Sequence, residues 1–423
     1  MRFMHLADLH IGKKVNGFSM LEDQRFVLEK VLEVARQKHL DGVLLAGDIY
    51  DKSVPAGEAV QLLDWFLTEL VNMNLEVYMI SGNHDSMERL SFGSKLFAKS
   101  GLHVASVYDG FLEPIVLQDE YGPLNVYLLP FVKPVHVRNA LKNRLESEDG
   151  NYVYNLRDAR EDNRLTQMKE SEKDVNSEVV KDDDGDEEDR FSHIRTYDDA
   201  VEEVLKELDL DSSERNLLVA HQLVTGAERC DSEDVSVGGI DNVSAELFDR
   251  FDYVALGHIH GPQPMTRDTI RYAGTLLKYS FSECGHKKSI TIVDLKEKGN
   301  IDVEVVLIEP LRDMRIIRKD FKTIMSREYY EGTNCEDYLK IVLTDEQDVP
   351  EAMGKLRTIY PNVMVLEYDN RRTKQNTSIG DATPVEDKEP IEYFRDFYEK
   401  QNGACMSDMQ ENIVREVFKK IWG

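Results

Sequence analysis

The sequence predicts an α/β fold in which strands and helices alternate over the first 142 residues. Short apolar runs such as GVLLAG and EVYMISG alternate with longer segments such as RFVLEKVLEVARQ, whose apolar residues recur at helical spacing. Residues able to bind metal directly follow several of the short runs. Alternating strands and helices predict a sheet covered by helices, and polar residues after the strands predict a site at its edge.

The α/β pattern extends in order to about Pro310, with one interruption. The first part reads strand, helix, strand, helix and strand, ending at LEVYMISGN. After the interruption, a helix near residues 197–208 precedes the apolar runs NLLVAH, DYVALGH, SITIVDL and IDVEVVLIE. We therefore predict one α/β domain over residues 1–310.

The interruption, at about residues 143–190, is predicted to be a flexible acidic insertion. Between Glu170 and Arg190 the only aliphatic residues are Val175, Val179 and Val180, and the run DDDGDEED follows them. Such a segment cannot bury enough apolar surface to become ordered. A solvated loop without a function is the simpler alternative, and the role of the segment stays open.

Beyond residue 310 the pattern predicts three further parts. Residues 311–370 form a small α+β domain, with a strand at IVL, a helix at VPEAMGKLRTIY and a strand at VMVLEY. Residues 371–390 form a polar linker. Residues 391–423 form two amphipathic helices, the second of which begins with Ser407 and Gln410 at capping-box spacing. We expect their apolar faces to dock on a partner; packing back on the chain is the alternative.

Composition restricts the class of protein. Of the 423 residues, 41% are hydrophobic and 31% charged, which is typical of a soluble globular protein. No signal peptide or membrane span is predicted, and the four cysteines are far apart, so we expect a cytoplasmic protein with no disulfide framework and no zinc ribbon. The net charge of −28 argues against broad electrostatic attraction to nucleic acid.

Five apolar runs are followed by candidate metal ligands. Side chains at strand ends lie on rigid elements that face one crevice. Imidazole nitrogen together with carboxylate oxygen suits Mn²⁺, Fe²⁺ or Zn²⁺, and two such ions can share one carboxylate. A single Asp or His after a strand is more often a turn former or a helix cap, but the joint pattern favours a metal site. The candidates are Asp8, His10, Asp48, Asn83, His221, His258 and His260.

These residues, in the motifs DLH, GD, GNHD and GHIH, resemble the signature of the calcineurin-like metallophosphoesterases. Within that superfamily the phrases LADLHIGK, SGNHDS, VAHQLVTGA and YAGTLLKYSFSECGHKKS are most similar to the bacterial SbcD family. The resemblance covers nearly the whole chain outside the insertion. It implies two packed β-sheets flanked by helices, a small capping or DNA-binding domain and C-terminal helices.

The resemblance also implies roles for single residues. Asp8, His10 and His260 would hold one divalent ion, Asn83, His221 and His258 the other, and Asp48 would bridge them; Mn²⁺ is the expected metal. His84 would act on the transition state as a general acid instead of binding metal. The carboxylate of Asp51 would orient His84, although an ordinary turn residue is an equal alternative, and Asp85 is predicted to cap the following helix.

From the family we expect a DNA nuclease, with 3′–5′ exonuclease action on double-stranded ends and endonuclease action at hairpins, in DNA repair, recombination and replication. ATP would act through an SbcC-type ATPase partner, because the chain has no GxxxxGK[ST] motif of its own. A homodimer within a heterotetramer is implied. Two alternatives stay open: a stand-alone phosphodiesterase or phosphatase for small phosphoesters, and a non-catalytic scaffold.

Overall fold

The structure is a computed structural model that describes residues 1–148, 190–233, 241–371, 390–402 and 405–422. It divides into two compact units, the first comprising Met1–Val15 and Ser19–Leu311, the second Asn16–Phe18 and Arg312–Gly423.

The strands are numbered here in chain order. They are β1 (Arg2–Leu6), β2 (Lys14–Val15), β3 (Phe18–Ser19), β4 (Gly42–Ala46), β5 (Glu76–Ile80), β6 (Leu102–Ala105), β7 (Ile115–Asp119), β8 (Gly122–Leu129), β9 (Arg215–His221), β10 (Leu223–Val224), β11 (Asn242–Val243), β12 (Tyr253–Gly257), β13 (Gln263–Pro264), β14 (Ile270–Tyr272), β15 (Ser289–Leu295), β16 (Ile301–Leu307), β17 (Met314–Lys319), β18 (Tyr338–Leu343) and β19 (Val363–Tyr368).

The α-helices are numbered in the same way. They are α1 (Leu21–Lys38), α2 (Gly57–Asn72), α3 (Met87–Ser91), α4 (Ser94–Phe97), α5 (Pro134–Glu148), α6 (Tyr197–Lys206), α7 (Phe321–Ile324), α8 (Arg327–Tyr330), α9 (Ala352–Arg357), α10 (Pro390–Asn402) and α11 (Asp408–Trp422). Among the residues described, no helix is both long enough and apolar enough to span a membrane.

Two six-stranded sheets form the first unit. One has the order β16-β15-β1-β4-β5-β6 and the other β13-β14-β12-β9-β8-β7. Strands β1, β4, β5 and β6 run parallel in the first sheet, as do β8, β9, β12 and β14 in the second, and antiparallel strands complete the edges. Parallel strands bring their carboxyl ends to one edge, so each sheet offers a row of strand ends.

The main core lies between the two sheets. Alternate residues of β1 and β4, such as Phe3 and Leu44, share one apolar cluster with Val126 of β8 and Val219 of β9. Each fully buried side chain of this size contributes roughly 1.5–3 kcal/mol. Helices α1 and α2 bury their apolar stripes, and α2 lies against β5. Helices α5 and α6 share a second core with the other face of β8 and β9. The prediction of two packed sheets flanked by helices is confirmed.

The second unit contains a parallel sheet of three strands in the order β17-β18-β19. Its core includes Ile317, Ile341, Leu356 and Tyr360. The sequence pattern predicts β18, a helix and β19, but it does not predict β17. The apolar residues of β17 are interleaved with Arg and Lys. The predicted helix is also shorter, since α9 covers only Ala352–Arg357.

Helices α10 and α11 contact each other at the C-terminal end of the chain. The rings of Phe394 and Phe418 meet edge to face with centroids 5.9 Å apart. Ser407 and Gln410 form the expected capping box, because Ser407 N donates to Gln410 Oε1 at 2.9 Å and Gln410 N donates to Ser407 Oγ at 3.4 Å. Phe397, Met409, Ile413 and Val417 remain exposed.

Two predicted segments lie largely outside the described residues. Helix α5 continues to Glu148, so residues 143–148 are helical and not part of a loop. The remainder of the predicted insertion, residues 149–189, and most of the predicted linker, residues 372–389, are not among the described residues.

Candidate metal centre

All seven predicted ligands lie at or just after the carboxyl ends of strands in the first unit. Asp8, His10, Asp48 and Asn83 follow β1, β4 and β5, which are neighbours in one sheet. The three other histidines lie at the end of β9 or after β12, which are neighbours in the other sheet. The two rows of ligands meet, since His221 Nε2 is 3.4 Å from Asp48 Oδ2. The fold therefore brings residues more than two hundred positions apart in the chain into one buried cluster.

Asp8, His10 and His260 form the first group, whose potential ligand atoms all lie within 4.8 Å of one another. The Nε2 atoms of His10 and His260 face each other at 3.1 Å. Both carboxylate oxygens of Asp8 accept the backbone N–H of His258, at 2.9 and 3.1 Å. All three side chains are almost completely buried.

Asn83, His221 and His258 form the second group. Asn83 Oδ1 lies 3.1 Å from His221 Nε2 and 3.0 Å from His258 Nδ1, so three potential ligand atoms converge on one point. His221 Nδ1 donates to the carbonyl oxygen of Ala46 at 2.8 Å, because a carbonyl oxygen can only accept. That bond leaves Nε2 as the nitrogen of His221 that faces the group.

Asp48 lies between the two groups. Its Oδ2 is 3.4 Å from His221 Nε2, 3.7 Å from His10 Nε2 and 3.9 Å from His84 Nε2. Its Oδ1 accepts the backbone N–H of His84 at 2.9 Å. Among the seven candidates, this carboxylate has the position that a bridging ligand requires.

The protonation states of three of the four ligand histidines suit bound cations. Burial lowers the pKa of His10 and His260 well below the usual value and that of His258 to about 4, so these rings are neutral with lone pairs available. Burial raises the pKa of Asp8 well above the usual value, which a neighbouring cation would reverse. Nitrogen and oxygen donors without thiolate suit Mn²⁺, Fe²⁺ or Zn²⁺. The residues present fit two divalent ions.

Asp48 and His221 form a charged pair. Burial alone would raise the pKa of Asp48, but the adjacent histidines, His221 foremost, hold it well below the usual value. Burial alone would lower the pKa of His221, but Asp48 and Asp8 raise it to about 9. The Asp48 carboxylate and the imidazolium form of His221 therefore stabilise each other, with His221 Nε2 facing Asp48 Oδ2 at 3.4 Å.

Two glycines allow the loops to approach this closely. A Cβ on Gly82 would lie 2.1 Å from Asp48 Oδ1. A Cβ on Gly47 would lie 2.4 Å from His221 Nδ1, and the φ of +81° at Gly47 also disfavours any other residue.

Four of the candidate ligands have positive φ angles. They are 52° at Asp8, 44° at His10, 49° at Asp48 and 105° at His258. Residues other than glycine rarely adopt such angles, which persist only where the surroundings enforce them and which cluster at functional sites.

His84 and Asp51 lie beside the two groups. His84 Nδ1 donates to the backbone carbonyl oxygen of Asp51 at 3.2 Å, and its ring stands edge to face against His10 with centroids 4.8 Å apart. The Asp51 carboxylate lies 2.7 Å from Lys13 Nζ and 3.8 Å from His10 Nδ1. The contact between Asp51 and the ring of His84 is thus made by the backbone carbonyl group of Asp51. The sequence predicts that the Asp51 carboxylate would make it.

The prediction that Asp85 caps the next helix was wrong. Ser86 is the N-cap of α3, and its Oγ accepts the N–H of Arg89 at 3.4 Å. The Asp85 carboxylate is buried and accepts the backbone N–H groups of Ile49, Tyr50 and Gly82 at 3.1, 2.9 and 2.9 Å. It therefore ties the loop after β4 to the loop after β5, and with them Asp48 to Asn83.

Two residues outside the ligand motifs hold the loop after β1. Gln24 Nε2 donates to the carbonyl oxygen of His10 at 2.8 Å and to Tyr279 Oη at 2.9 Å, and Tyr279 Oη donates to the carbonyl oxygen of Leu9 at 2.8 Å. Gln24 is on α1 and Tyr279 lies after β14, and neither belongs to a ligand motif. Only the buried position of a glutamine on the apolar stripe of α1 could have drawn attention to it.

Comparison with protein-family models gives two matches. The model of the calcineurin-like phosphoesterases matches residues 1–262. The SbcD_C model, described as the type 5 capsule protein repressor C-terminal domain, matches residues 310–402.

Individual proteins are also similar to the chain. A curated protein of Staphylococcus epidermidis, named as the SbcD component of the nuclease SbcCD, is 28% identical over 425 aligned positions, which cover 100% of this chain and 99% of that protein. Among solved structures, a dimetal phosphatase from Danio rerio matches at 14% identity and a TM-score of 0.37, covering 74% of this chain and 98% of that one. The resemblance to SbcD that the motifs predicted is confirmed.

Proposed function

Because the chain belongs to the calcineurin-like phosphoesterase family, we propose that it is a metal-dependent DNA nuclease and the nuclease subunit of an SbcCD-type complex. It would act as a 3′–5′ exonuclease on double-stranded ends and as an endonuclease at hairpins, with access gated by ATP on the SbcC-type partner, in DNA repair, recombination and replication. One observation supports the phosphodiesterase part: Asp48 lies within 3.7 Å of one histidine from each of two groups of three potential ligands, with His84 beside it.

The proposed metal sites use the seven residues in two sets. Asp8, His10 and His260 would hold one ion, Asn83, His221 and His258 the other, and Asp48 both; we take Mn²⁺ as the ion. When bound, two such ions supply an activated water molecule and stabilise the charge that develops on phosphoryl oxygens.

His84 is proposed as the general acid of the reaction. Its Nδ1 proton is committed to the carbonyl oxygen of Asp51, so Nε2 is the position at which a proton is held or transferred. Nε2 is 3.9 Å from Asp48 Oδ2, and the side chain keeps 20% of its exposure, so a substrate can reach it. Protonated there, it would stabilise a phosphoryl oxygen and give its proton to the leaving 3′ oxygen.

DNA as the substrate is supported by the relative's name, not by the charge of this chain. Several arginines that could contact a phosphate backbone are already engaged in ion pairs: Arg144 with Glu207, Arg315 with Asp337, and Arg318 with Asp369. At a net charge of −28, much of the grip on the phosphate backbone would have to come from a partner.

The C-terminal helix pair is the proposed docking element for the ATPase. Helices α10 and α11 bury Phe394 against Phe418 and still expose Phe397, Met409 and Ile413. Helices this short are marginal alone in water, and exposed apolar side chains at this density are typical of a surface that another protein covers. Truncation after Arg371 should abolish co-purification with the ATPase while cleavage of small phosphodiesters persists.

A second copy of the chain is proposed to cover another apolar segment. Phe92, Leu96 and Phe97, which lie in and around α3 and α4, are 81%, 70% and 43% exposed. They follow the GNHD loop directly, so dimerisation there would place two metal centres near one interface. Light scattering should report a dimer for the wild type and a monomer for the double variant Phe92→Ser, Leu96→Ser.

One comparison tests the proposal as a whole. Mn²⁺-dependent cleavage of a DNA hairpin is measured beside cleavage of a chromogenic phosphodiester, with and without an SbcC-type ATPase. A nuclease subunit should cut both, and the ATPase with ATP should accelerate only DNA cleavage. Cleavage of the small ester alone under all conditions would favour the stand-alone phosphodiesterase.

A further inference from the structure

His260 differs from the other histidines of the centre in what contacts its second ring nitrogen. Its Nδ1 lies 2.6 Å from Ser232 Oγ, and that hydroxyl lies 2.6 Å from Glu283 Oε1. Ser232 precedes His260 by 28 positions in the chain and Glu283 follows it by 23, so the contacts are tertiary. His260 and Glu283 are buried, at 2% and 0% exposure.

Glu283 is fixed as a carboxylate by its other neighbours. Lys288 Nζ donates to Glu283 Oε2 at 2.5 Å, to Thr275 Oγ1 at 2.6 Å and to the carbonyl oxygen of His260 at 2.9 Å. These three bonds use all three ammonium protons. A buried ammonium ion with this saturated geometry requires an anionic partner, and Glu283 is the carboxylate it meets. The backbone of His260 is held from the other side, because its N–H donates to Glu233 Oε1 at 2.7 Å.

The direction of each hydrogen bond from His260 through Ser232 to Glu283 follows from the number of protons available. Ser232 has one hydroxyl proton, and a carboxylate can only accept, so the proton points at Glu283. The hydroxyl oxygen then accepts from His260 Nδ1, which must carry its own proton. His260 is thereby held as the tautomer with a bare Nε2, and Nε2 is the atom that faces His10 Nε2 at 3.1 Å.

We infer that Ser232 and Glu283 are positioning residues that fix the tautomer and the ring orientation of His260, and so set the affinity of the Asp8–His10–His260 group for its ion. Outer residues of this kind orient metal ligands and raise their basicity. Within the described residues His10 Nδ1 has no hydrogen-bond partner, so the two imidazoles of this group are not equally held. His260 is the imidazole of this group whose second nitrogen is held by a hydrogen bond.

This inference rests on the proposed metal-dependent function, and its test starts from metal binding to the full chain. Mn²⁺ is titrated into the metal-free protein and followed by the loss of the free-ion signal in electron paramagnetic resonance. Ser232→Ala should weaken one of two bound ions by about 10- to 100-fold and leave the other unchanged. Ser232→Thr, which keeps the hydroxyl, should restore it.

Ser282→Ala is the matched control. Ser282 Oγ accepts the N–H of Asp231 at 3.0 Å, so it holds the same loop without touching His260. If a loosened loop were the cause, both alanine variants would weaken binding equally, and the inference would be overturned.

A second readout does not depend on metal. Long-range ¹⁵N–¹H spectra of the histidine-labelled metal-free protein should show His260 protonated at Nδ1 in the wild type and a mixed or opposite tautomer in Ser232→Ala. If the wild type binds two ions and Ser232→Ala shows the same affinities and the same tautomer, this inference is overturned and the proposed metal chemistry is not. A wild type that binds no Mn²⁺ overturns the proposed metal chemistry and the inference with it.

Discussion

The side chain of His84 donates from Nδ1 to the backbone carbonyl oxygen of Asp51 at 3.2 Å. The ring is therefore held by a main-chain group, while Oδ1 of the Asp51 carboxylate lies 2.7 Å from Lys13 Nζ. Orientation of the His84 ring therefore depends on the course of the loop after β4, and only weakly on which side chain position 51 carries.

His84→Ala is expected to separate chemistry from metal binding. The side chain lies beside the ligand groups without belonging to either set of three, so two ions per chain should remain, measured by elemental analysis. Cleavage of a phosphodiester should slow by about 10²- to 10⁴-fold, the usual contribution of general acid catalysis. Loss of an ion would instead make His84 a ligand.

Asp51→Asn should be mild by comparison. The carbonyl oxygen that accepts from His84 is unchanged, and the charge that is lost pairs with Lys13, which is 15% exposed, and lies 3.8 Å from His10 Nδ1. We expect a decrease in kcat of about tenfold or less, equivalent to about 1.4 kcal/mol in the barrier. A loss as large as that of His84→Ala would show that the carboxylate itself acts on His84.

Asp48→Asn should remove both ions together. The carboxylate lies within 3.7 Å of histidines from both ligand groups, and a neutral amide bridges two cations poorly. Metal content and cleavage should fall in parallel, while Asp51→Asn, a nearby carboxylate outside both groups, retains its metal. Two ions bound to Asp48→Asn at unchanged affinity would contradict the two-metal assignment.

Metal binding should release protons and weaken as the pH falls. The pKa of His221 is raised to about 9 in the metal-free protein, and its Nε2 must lose its proton before it can coordinate. Below pH 9 the affinity should therefore drop by about tenfold per pH unit. Calorimetry at pH 7.5 in buffers of different ionisation enthalpy should show at least one proton released per chain; identical heats in all buffers would refute this.

Gly82→Ala should damage the centre although it adds only a methyl group. The new carbon would lie 2.1 Å from Asp48 Oδ1, so the Asp48 carboxylate would have to move. We expect weaker metal binding and a lower melting temperature in the presence of Mn²⁺. Gly57→Ala is the control, since no atom lies within 4 Å of its added carbon, and it should retain both properties.

Much of the site was predictable because its ligands obey a local rule. Each follows an apolar run that could be recognised as a buried strand, and parallel strands collect their carboxyl ends at one edge. The residues that support the ligands obey no such rule. Asp85, Ser232 and Glu283 act through backbone groups or side chains that only the folded chain brings near, and no spacing in the sequence marks those contacts.

The strands were also predictable to different degrees. Strands buried on both faces, such as β4, show as unbroken apolar runs. β17 was missed because its two buried residues, Met314 and Ile317, lie three positions apart, a spacing that a helix would share, and Ile316 between them is exposed. Its pairing with β18 is a tertiary interaction, and the apolar surface it covers lies in another part of the chain.

The positive φ angles at Asp8, His10, Asp48 and His258 place candidate ligands in the centre but lower the thermal stability of the fold. Strained positions of this kind cost of order 1–3 kcal/mol each, with less for aspartate, and the rest of the fold must offset them. A descendant that lost the reaction could relax all four positions and become more heat-resistant. A programme of stabilising substitutions applied to this chain would tend to find the same four positions first, and would gain stability there only by losing the enzyme.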